Sequence, residues 1–462
     1  MYLPSILTTL SDTLQEKNAK AIVVGGSVRD HFLNAKSKDY DVEVYGLENL
    51  EALEAILAPF GSVNLVGKSF GVLKFAYEGE EYDFSFPRTE SKVAKGHGGF
   101  DVLVDGTLPY EVAFRRRDFT MNALGYDIAN KCFIDPFGGL EDLKEKRLRH
   151  IDDATFVDDP LRLYRGVQFC ARFSLQLDPS TKDLCRSMVA QGVLDELPKE
   201  RVYGEWKKLL LKSDTPSVGF ELMRELGILE RYFPELHALI GVPQEPKWHP
   251  EGDVWVHSML SLDAMARLLK PSDFSPKEKL GFLFAILCHD LGKATHTTIE
   301  ANGRIRAIGH EEAGVAPTKS LMYRLTDEHD FIESLLPLVE HHLKPSMFYH
   351  SKAKSAAIRR LATKVNIEAL VLVAKADFLG RTTPEAKEGT YHAGVWLLQK
   401  AKTLNVSTTP LNPLIQGRDL IALGMTPSVK FKEVLDKVYA LQLEGKLESQ
   451  KEALAYVKNH ML

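Results

Sequence analysis

Asp39 and Asp41 stand two residues apart in KDYDVEV (38–44), a run whose valines and tyrosine give it strand character. Side chains two apart on a strand point to one face, so both carboxylates can grip the same hard cations. Mg²⁺ takes oxygen ligands, usually one or two carboxylates plus substrate phosphates. A pair of such ions can bind the attacking and leaving oxygens of an in-line phosphoryl transfer. A neighbouring strand would supply a third acid, and Asp83 in EYDFSF (81–86) is the candidate. Glu43 shares the face of the pair and reads as a structural or supporting residue. Upstream, GGSVRD (25–30) follows the apolar run AIVV and opens a helix. Gly25 and Gly26 let backbone N–H groups approach a phosphate, a helix N-terminus favours an anion, and Arg29 adds a charge for a triphosphate.

A second set of residues is spread over 246–380: His257, the pair His289-Asp290 in LCHDLGK (287–293), His310 in GHEEAG (309–314), and Asp377. A chain with 15 histidines is expected to show one HD pair by chance, so the context carries the argument. The apolar helix LGFLFAIL (280–287) delivers His289 and Asp290 beside a glycine, His257 comes from an earlier helix and Asp377 from a later one. Mixed imidazole and carboxylate ligands suit Mn²⁺, Ni²⁺, Fe²⁺ or Zn²⁺. Such an ion lowers the pKa of bound water and presents hydroxide to a phosphoester. Lys293 and His310 are candidate phosphate contacts. His341 and His342 in VEHHL (339–343) are candidate further ligands, but read first as a solvated helix end.

The elements that must position these groups change character along the chain. AIVVGG, DYDVEVYGL, GVLKFAY and EYDFSF read as strands, and LENLEALEAILAPFG (47–61) as a helix closed by Gly61. After about residue 140 apolar residues recur at helical spacing, as in PLRLYRGVQFCARF and ERVYGEWKKLLL, and the remainder reads as all-helical. The Pro-containing stretches 241–253 and 381–389 read as linkers. The 462 residues suggest about three domains. A 44% apolar and 26% charged composition is that of an ordinary globular protein. The formal charge of −5 argues against a uniformly basic surface, but local clusters such as Arg115-Arg116-Arg117 leave RNA binding open. Four dispersed cysteines, an N-terminus without a leader pattern and the absence of a long apolar run predict a cytoplasmic protein without a membrane span.

VVGGSVRD…KDYDVEV resembles the first motif of the class II bacterial tRNA nucleotidyltransferases and poly(A) polymerases, in the DNA polymerase β-like superfamily. Further motifs agree in order: RRDFTMNAL (116–124), DPFGGLEDL (135–143), DDPLR (158–162) and LPKERVYGEWKKLL (197–210). The resemblance implies that Asp39 and Asp41 hold catalytic Mg²⁺. It places Arg88, Arg116, Asp118, Asn122 and Arg165 in the nucleotide site and makes Asp159 and Arg162 the pair that reads C and then A. A carboxylate accepts from an exocyclic amine and an arginine donates to ring acceptors, and both C and A carry an amine where U and G carry a carbonyl. Asp158 stands where the family usually has Glu. In the family a loop between the positions of Arg88 and Arg116 helps the switch from C to A, and the polar, glycine-rich segment 91–112 has the length for it. PKWHPEGDVWVH (246–257) and CHDLGK resemble the HD phosphohydrolase domain of one group of bacterial CCA-adding enzymes.

The resemblance implies an α+β chain: a nucleotidyltransferase head with a mixed sheet and helices at 1–140, a helical neck and body at 141–245, an HD domain at 246–385 and a helical tail at 386–462. The implied activity is addition of CCA to tRNA from CTP and ATP. The HD domain would act as 2′,3′-cyclic phosphodiesterase, 2′-nucleotidase and phosphatase with Ni²⁺ or Mn²⁺. The partners are tRNA and the two nucleotides, with no membrane, and the state is monomer or homodimer. An A-only adding enzyme, a poly(A) polymerase and an HD phosphohydrolase with an RNA-binding head are the alternatives.

Overall fold

In the computed structural model, residues 1–35, 39–66, 71–92 and 100–461 are described. The β-branched run at Lys20–Val24 forms β1, buried from its second residue onward. Tyr40–Tyr45 forms β2, Ser62–Val66 β3, Val72–Tyr77 β4, Glu80–Ser85 β5, Arg88–Lys92 β6, Phe100–Val104 β7, Gly125–Asp127 β8 and Cys132–Ile134 β9. Seven of them make one sheet in the order β3-β4-β5-β2-β1-β8-β9. The β2–β5 pair is parallel and the others are antiparallel, which gives the expected mixed sheet. The helix Ser5–Gln15 buries Ile6, Leu7, Leu10 and Leu14 and lies against β1. A core of Ile22, Val24, Tyr45, Ala113, Phe114 and Ala123 joins the sheet to the helix Tyr110–Arg115.

Two local expectations are corrected. The helix after β2 runs from Leu50 to Leu57, capped by the Asn49 side chain, and it ends before Gly61. Gly61 serves close approach instead: a Cβ there would stand 2.3 Å from the Ala76 carbonyl oxygen on β4. The segment after Arg88 is an antiparallel β6–β7 ribbon, with Arg88 opposite Val104. Residues 93–99 of the expected switching loop lie outside the described residues.

Beyond β9 the chain is helical apart from the short strand pairs Arg147–Leu148 with Gln176–Leu177 and Thr298–Ile299 with Ile305–Arg306. Contacts divide the chain into two compact units, Met1–Leu209 with Val218–Arg231, and Leu210–Ser217 with Tyr232–Leu462. In the second unit the helices Val254–Leu269, Pro276–Cys288, His329–His341 and Ile367–Gly380 pack on one another. Pro276 at the first turn and a Ser275–Glu278 capping box start the second of these. Gly380 allows the first and last to close, since a Cβ there would sit 2.1 Å from Ser261 Oγ. The last helices, Val429–Leu443 and Gln450–His460, bury a separate small core that includes Val434, Val438 and Val457. Among the described residues no helix is long and apolar enough to cross a membrane.

Candidate active sites

In the first unit, β2 carries Asp41 to the edge of a cleft of about 410 Å³. Strand alternation buries Val42 and Val44 on one side and brings Asp41 and Glu43 to the other. Asp39, expected on the strand with Asp41, lies instead one residue before it and is exposed, because the strand begins at Tyr40. Parallel pairing sets Asp83 directly beside Asp41, and Lys74 Nζ stands 3.7 Å from the Asp83 carboxylate. The cleft is lined by Gly25, Gly26, Arg29, Asp41, Arg88, Arg116, Asp118, Asn122, Asp159, Arg162 and Arg165, and also by Glu90, Arg117 and Arg201. Residues far apart in the chain are thus brought together, while Asp39 and Asp83 lie outside that lining.

The cationic wall is organised by buried acids. Glu43, 1% exposed, accepts from Arg116 at 2.8 Å and from Arg117 at 3.0 Å. Burial pushes the Arg116 guanidinium down to about 10, with Arg117 adding repulsion and Glu43 opposing it. Gly25, at φ 75°, precedes the helix Gly26–Phe32, and a Cβ there would meet Arg117 Nη1 at 2.7 Å. Arg29 is itself buried. It donates to Asn122 Oδ1 at 2.7 Å and to Asp30, and its guanidinium lies 4.7 Å from the Phe173 ring centroid. Asn122 in turn donates to Asp118 at 2.8 Å, and Arg165 closes on Asp118 at 2.6 Å.

Asp159 accepts from both terminal nitrogens of Arg201, at 3.3 and 3.1 Å, a fork that fixes the plane of its carboxylate. Arg162 donates to the backbone carbonyls of Thr155 at 2.8 Å and Arg116 at 2.6 Å. The arginine that the resemblance assigns to base reading is therefore bonded to the backbone of the cationic wall.

Burial alone would raise the Asp118 carboxyl, but Arg165, Asn122 and Arg162 outweigh it and hold it below the ordinary carboxylate range. A carboxyl lowered by folding contributes stability that is present above its unfolded value and lost as pH falls through the folded one. Asp118→Asn is accordingly expected to weaken the acid dependence of unfolding. The loss of stability between about pH 5 and about pH 3, measured by urea titration, should be smaller than in the parent. An equal loss would remove Asp118 from the set of acid-sensitive groups.

In the second unit a cleft of about 250 Å³ contains the HD residues. His257 Nε2 lies 3.1 Å from Asp377 and 3.8 Å from Asp290 Oδ2, and His289 Nε2 lies 3.2 Å from the same Asp290 oxygen. The four expected ligands therefore converge. Gly292 permits this: a Cβ there would stand 2.0 Å from the His310 carbonyl oxygen, so only glycine lets the HD turn meet the helix that starts at His310. His289 Nε2 and both Asp290 oxygens are buried without a well-formed hydrogen bond, as expected of a donor set built for a cation. Burial by itself would raise Asp290, but His289 and Lys293 hold it well below the ordinary range. Lys293 Nζ sits 2.8 Å from Asp290 and donates to Gln244 at 2.7 Å.

Three sequence expectations change here. His341 and His342 are both buried, not a solvated end, because the helix His329–His341 packs into the core; His342 faces Asp290 at 3.9 Å. The stretch 241–253 is part of the site, since Gln244, Trp248 and His249 line the cleft. Within it, Glu251 accepts from His257 Nδ1 at 2.8 Å and from His249 at 2.9 Å, which turns His257 Nε2 inward. In the stretch 381–389, Arg381 ion-pairs with Asp377 at 3.3 Å. Proline and glycine content signalled a loop at both places, and no local pattern distinguished a loop that lines a site from one that joins domains.

Family models match the same pieces: the Poly A polymerase head domain over residues 21–149, the probable RNA and SrmB-binding site of polymerase A over 174–240, and the HD domain over 255–381. Fold and sites thus define a nucleotidyltransferase with an HD domain. The multifunctional CCA protein of Pasteurella multocida is 36% identical over 399 residues, covering 84% of this chain and 90% of that protein. That of Xylella fastidiosa is 36% identical over 406 residues, covering 85% and 91%. The chain belongs to the multifunctional CCA protein family. Its fold is also that of the Bacillus stearothermophilus CCA-adding enzyme solved with CTP, with TM-score 0.66 and 19% identity over 99% of this chain and 98% of the other. The Thermotoga maritima enzyme solved with tRNA gives TM-score 0.61 and 20% identity over 99% and 95%.

Proposed function

We propose that this chain adds C, C and A to the 3′ end of tRNA from CTP and ATP, and that its HD domain hydrolyses phosphoesters at RNA ends. The observation that carries the first half is the single cleft in which Asp41 faces the Glu43-held arginines and the Asp159–Arg201 fork. The 3′-hydroxyl of the RNA would attack the α-phosphorus of the nucleotide and pyrophosphate would leave. Asp39, Asp41 and Asp83 offer the all-oxygen donor set that Mg²⁺ takes, and bound ions would neutralise the developing charge. The amides of Gly25 and Gly26 and the guanidiniums of Arg116 and Arg117 would hold the triphosphate. Asp118 and Asn122 would meet the ribose. Asp159, held flat by Arg201, would accept from the exocyclic amine of the base, and Arg162 would couple that reading to the arginine wall through its carbonyl bonds.

The test offers the protein tRNAs ending before the CCA, after C and after CC, with each nucleotide separately. CTP should extend the first two and ATP only the third, after which extension stops. Addition of ATP alone, only after CC, would make it an A-only enzyme. Long A tails on any end would make it a poly(A) polymerase.

For the HD domain, the donor set of His257, His289, Asp290 and Asp377 fits a transition metal, which when bound would supply hydroxide to the phosphorus. Lys293 and Arg381 border the cleft as anchors for the phosphate. Trp248, 52% exposed at the cleft, offers a face for a terminal base. Stacking of a base on an aromatic ring contributes about 1–3 kcal/mol. Trp248→Ala is therefore expected to raise KM for 2′,3′-cyclic AMP by about tenfold and leave KM for p-nitrophenyl phosphate, which has no base, within about twofold. An equal effect on both substrates would sink the stacking role.

A further inference from the structure

We infer that the hairpin of Thr298–Ile299 and Ile305–Arg306 reads the RNA chain that enters the HD cleft, with Arg306 on the phosphodiester 5′ of the terminal nucleotide and Arg304 on the next one. The inference rests on the reading of this cleft as a phosphoesterase site, and adds the element that makes an RNA end a better substrate than a free nucleotide.

The hairpin fills the connection between the short helices Lys293–His296 and His310–Ala313, whose first residues both line the cleft. Thr297, Ile305, Arg306 and Ala307 therefore form part of its rim. Pairing sets Thr298 opposite Arg306 and Ile299 opposite Ile305. The Glu300 N–H donates to the Arg304 carbonyl at 2.8 Å, which carries the same register one step further, and Gly303 at φ 81° turns the chain. The Glu245 carboxylate accepts from the Ile305 N–H at 3.2 Å, and the Glu245 carbonyl accepts from the Trp248 N–H at 3.0 Å. One residue thus ties the hairpin to the segment that presents the Trp248 ring.

Packing does not account for this hairpin. Two strands of two residues are marginal by themselves, and Ile299 and Ile308 stand 65% and 74% exposed, so little apolar surface is buried by it. What it presents at the cleft is charge. Arg306 pairs with Glu300 through Nε at 2.9 Å, and among the described residues its side chain has no other partner, which leaves both terminal nitrogens for a ligand. Arg304 is exposed, and its side chain has no partner among the described residues. Two residues apart on a paired strand, the two arginines share a face and lie about 6.6 Å apart along it, a step comparable to that between successive phosphates of an extended RNA chain. Guanidinium groups match phosphate oxygens in a two-pronged geometry. Lys293 and Arg381 also border the cleft, Arg306 stands at its rim, and Arg304 lies beyond the rim. A 2′,3′-cyclic nucleotide has a single phosphate, which the reacting position takes. Only a chain has further phosphates to place on the hairpin.

The experiment uses the full chain with Mn²⁺ or Ni²⁺ and without CTP or ATP. Hydrolysis of the cyclic phosphate is followed for 2′,3′-cyclic AMP and for oligoadenylates of two, three and six nucleotides that end in the same group. KM is expected to fall about tenfold from the mononucleotide to the dinucleotide, about threefold more to the trinucleotide, and then to level off. Each added contact should steepen the rise of log KM with log salt by about 0.7. Arg306→Gln should abolish the first step and Arg304→Gln the second, and Arg306→Lys should restore part of the first, each judged against KM for 2′,3′-cyclic AMP in the same variant. Equal KM for the mononucleotide and the hexanucleotide in the parent overturns the inference. A chain preference that survives both Gln substitutions together also overturns it, because the chain is then read elsewhere. No hydrolysis of any of these substrates by the parent overturns instead the reading of the cleft as a phosphoesterase. If a variant does not fold, the parent decides: KM and salt slope that keep changing beyond the trinucleotide overturn a two-phosphate track.

Discussion

Asp41→Ala is expected to lower nucleotide incorporation into tRNA at least about a thousandfold and to leave the unfolding temperature within about 2 °C of the parent. A thousandfold corresponds to about 4 kcal/mol of transition-state stabilisation, the scale of several kcal/mol that a catalytic cation contributes. Asp41 is the acid that both lines the cleft and has a second acid, Asp83, in register beside it. Its side chain reaches solvent, so little packing is lost with it. Its partial withdrawal from bulk solvent in the cleft raises its carboxyl, Arg117 opposes that, and Asp83, Glu43 and Asp39 raise it further. Removing a charge from that crowd does not weaken the fold. Asp41→Asn separates ligand chemistry from shape, because an amide fills the same space without the anionic oxygen. Rates within tenfold of the parent for both variants, measured at saturating CTP on tRNA lacking the CCA, would take Asp41 out of the catalytic set.

Glu43→Ala is expected to act in the opposite proportion, with the larger effect on stability. The Glu43 carboxylate is 1% exposed and holds two guanidiniums that are 16% and 15% exposed. Removing one partner of a buried ion pair costs about 3–5 kcal/mol, because the remaining charges stay buried without compensation. At about 2–4 °C per kcal/mol for a unit of this size, the unfolding temperature should fall by roughly 6–20 °C. The same change frees Arg116 and Arg117, so KM for CTP and ATP should rise as well. Glu43→Gln keeps an acceptor for one arginine and should fall between the two. A loss under about 1 kcal/mol in the alanine variant would mean that Glu90, 3.5 Å from Arg116, carries the wall by itself.

The sequence by itself determined the family of the chain and pointed to the residues of both candidate sites. Asp41 near the start of a strand with Asp39 just before it, the double glycine before a helix, and the HD pair at the end of an apolar helix are short-range patterns. They follow from strand and helix periods that any chain obeys locally. A candidate third acid on a neighbouring strand, Asp83, was also within reach, but that its strand pairs parallel with Asp41 directly beside it was decided by the tertiary structure. What lay outside its reach was direction and partnership across long separations. Tertiary structure alone decided that Glu43 gathers two arginines from 73 and 74 residues away and that Asp159 is held by Arg201 from 42 residues away. It alone turned His342 inward and made 241–253 a wall of the HD cleft. The reason is physical. A helix period says which side of a helix is buried, but which imidazole nitrogen faces a cavity depends on the carbonyl behind it and on how closely helices approach. In this chain that approach is set by glycines such as Gly292 and Gly380, whose missing side chains acquire meaning only when the packed neighbour is in place.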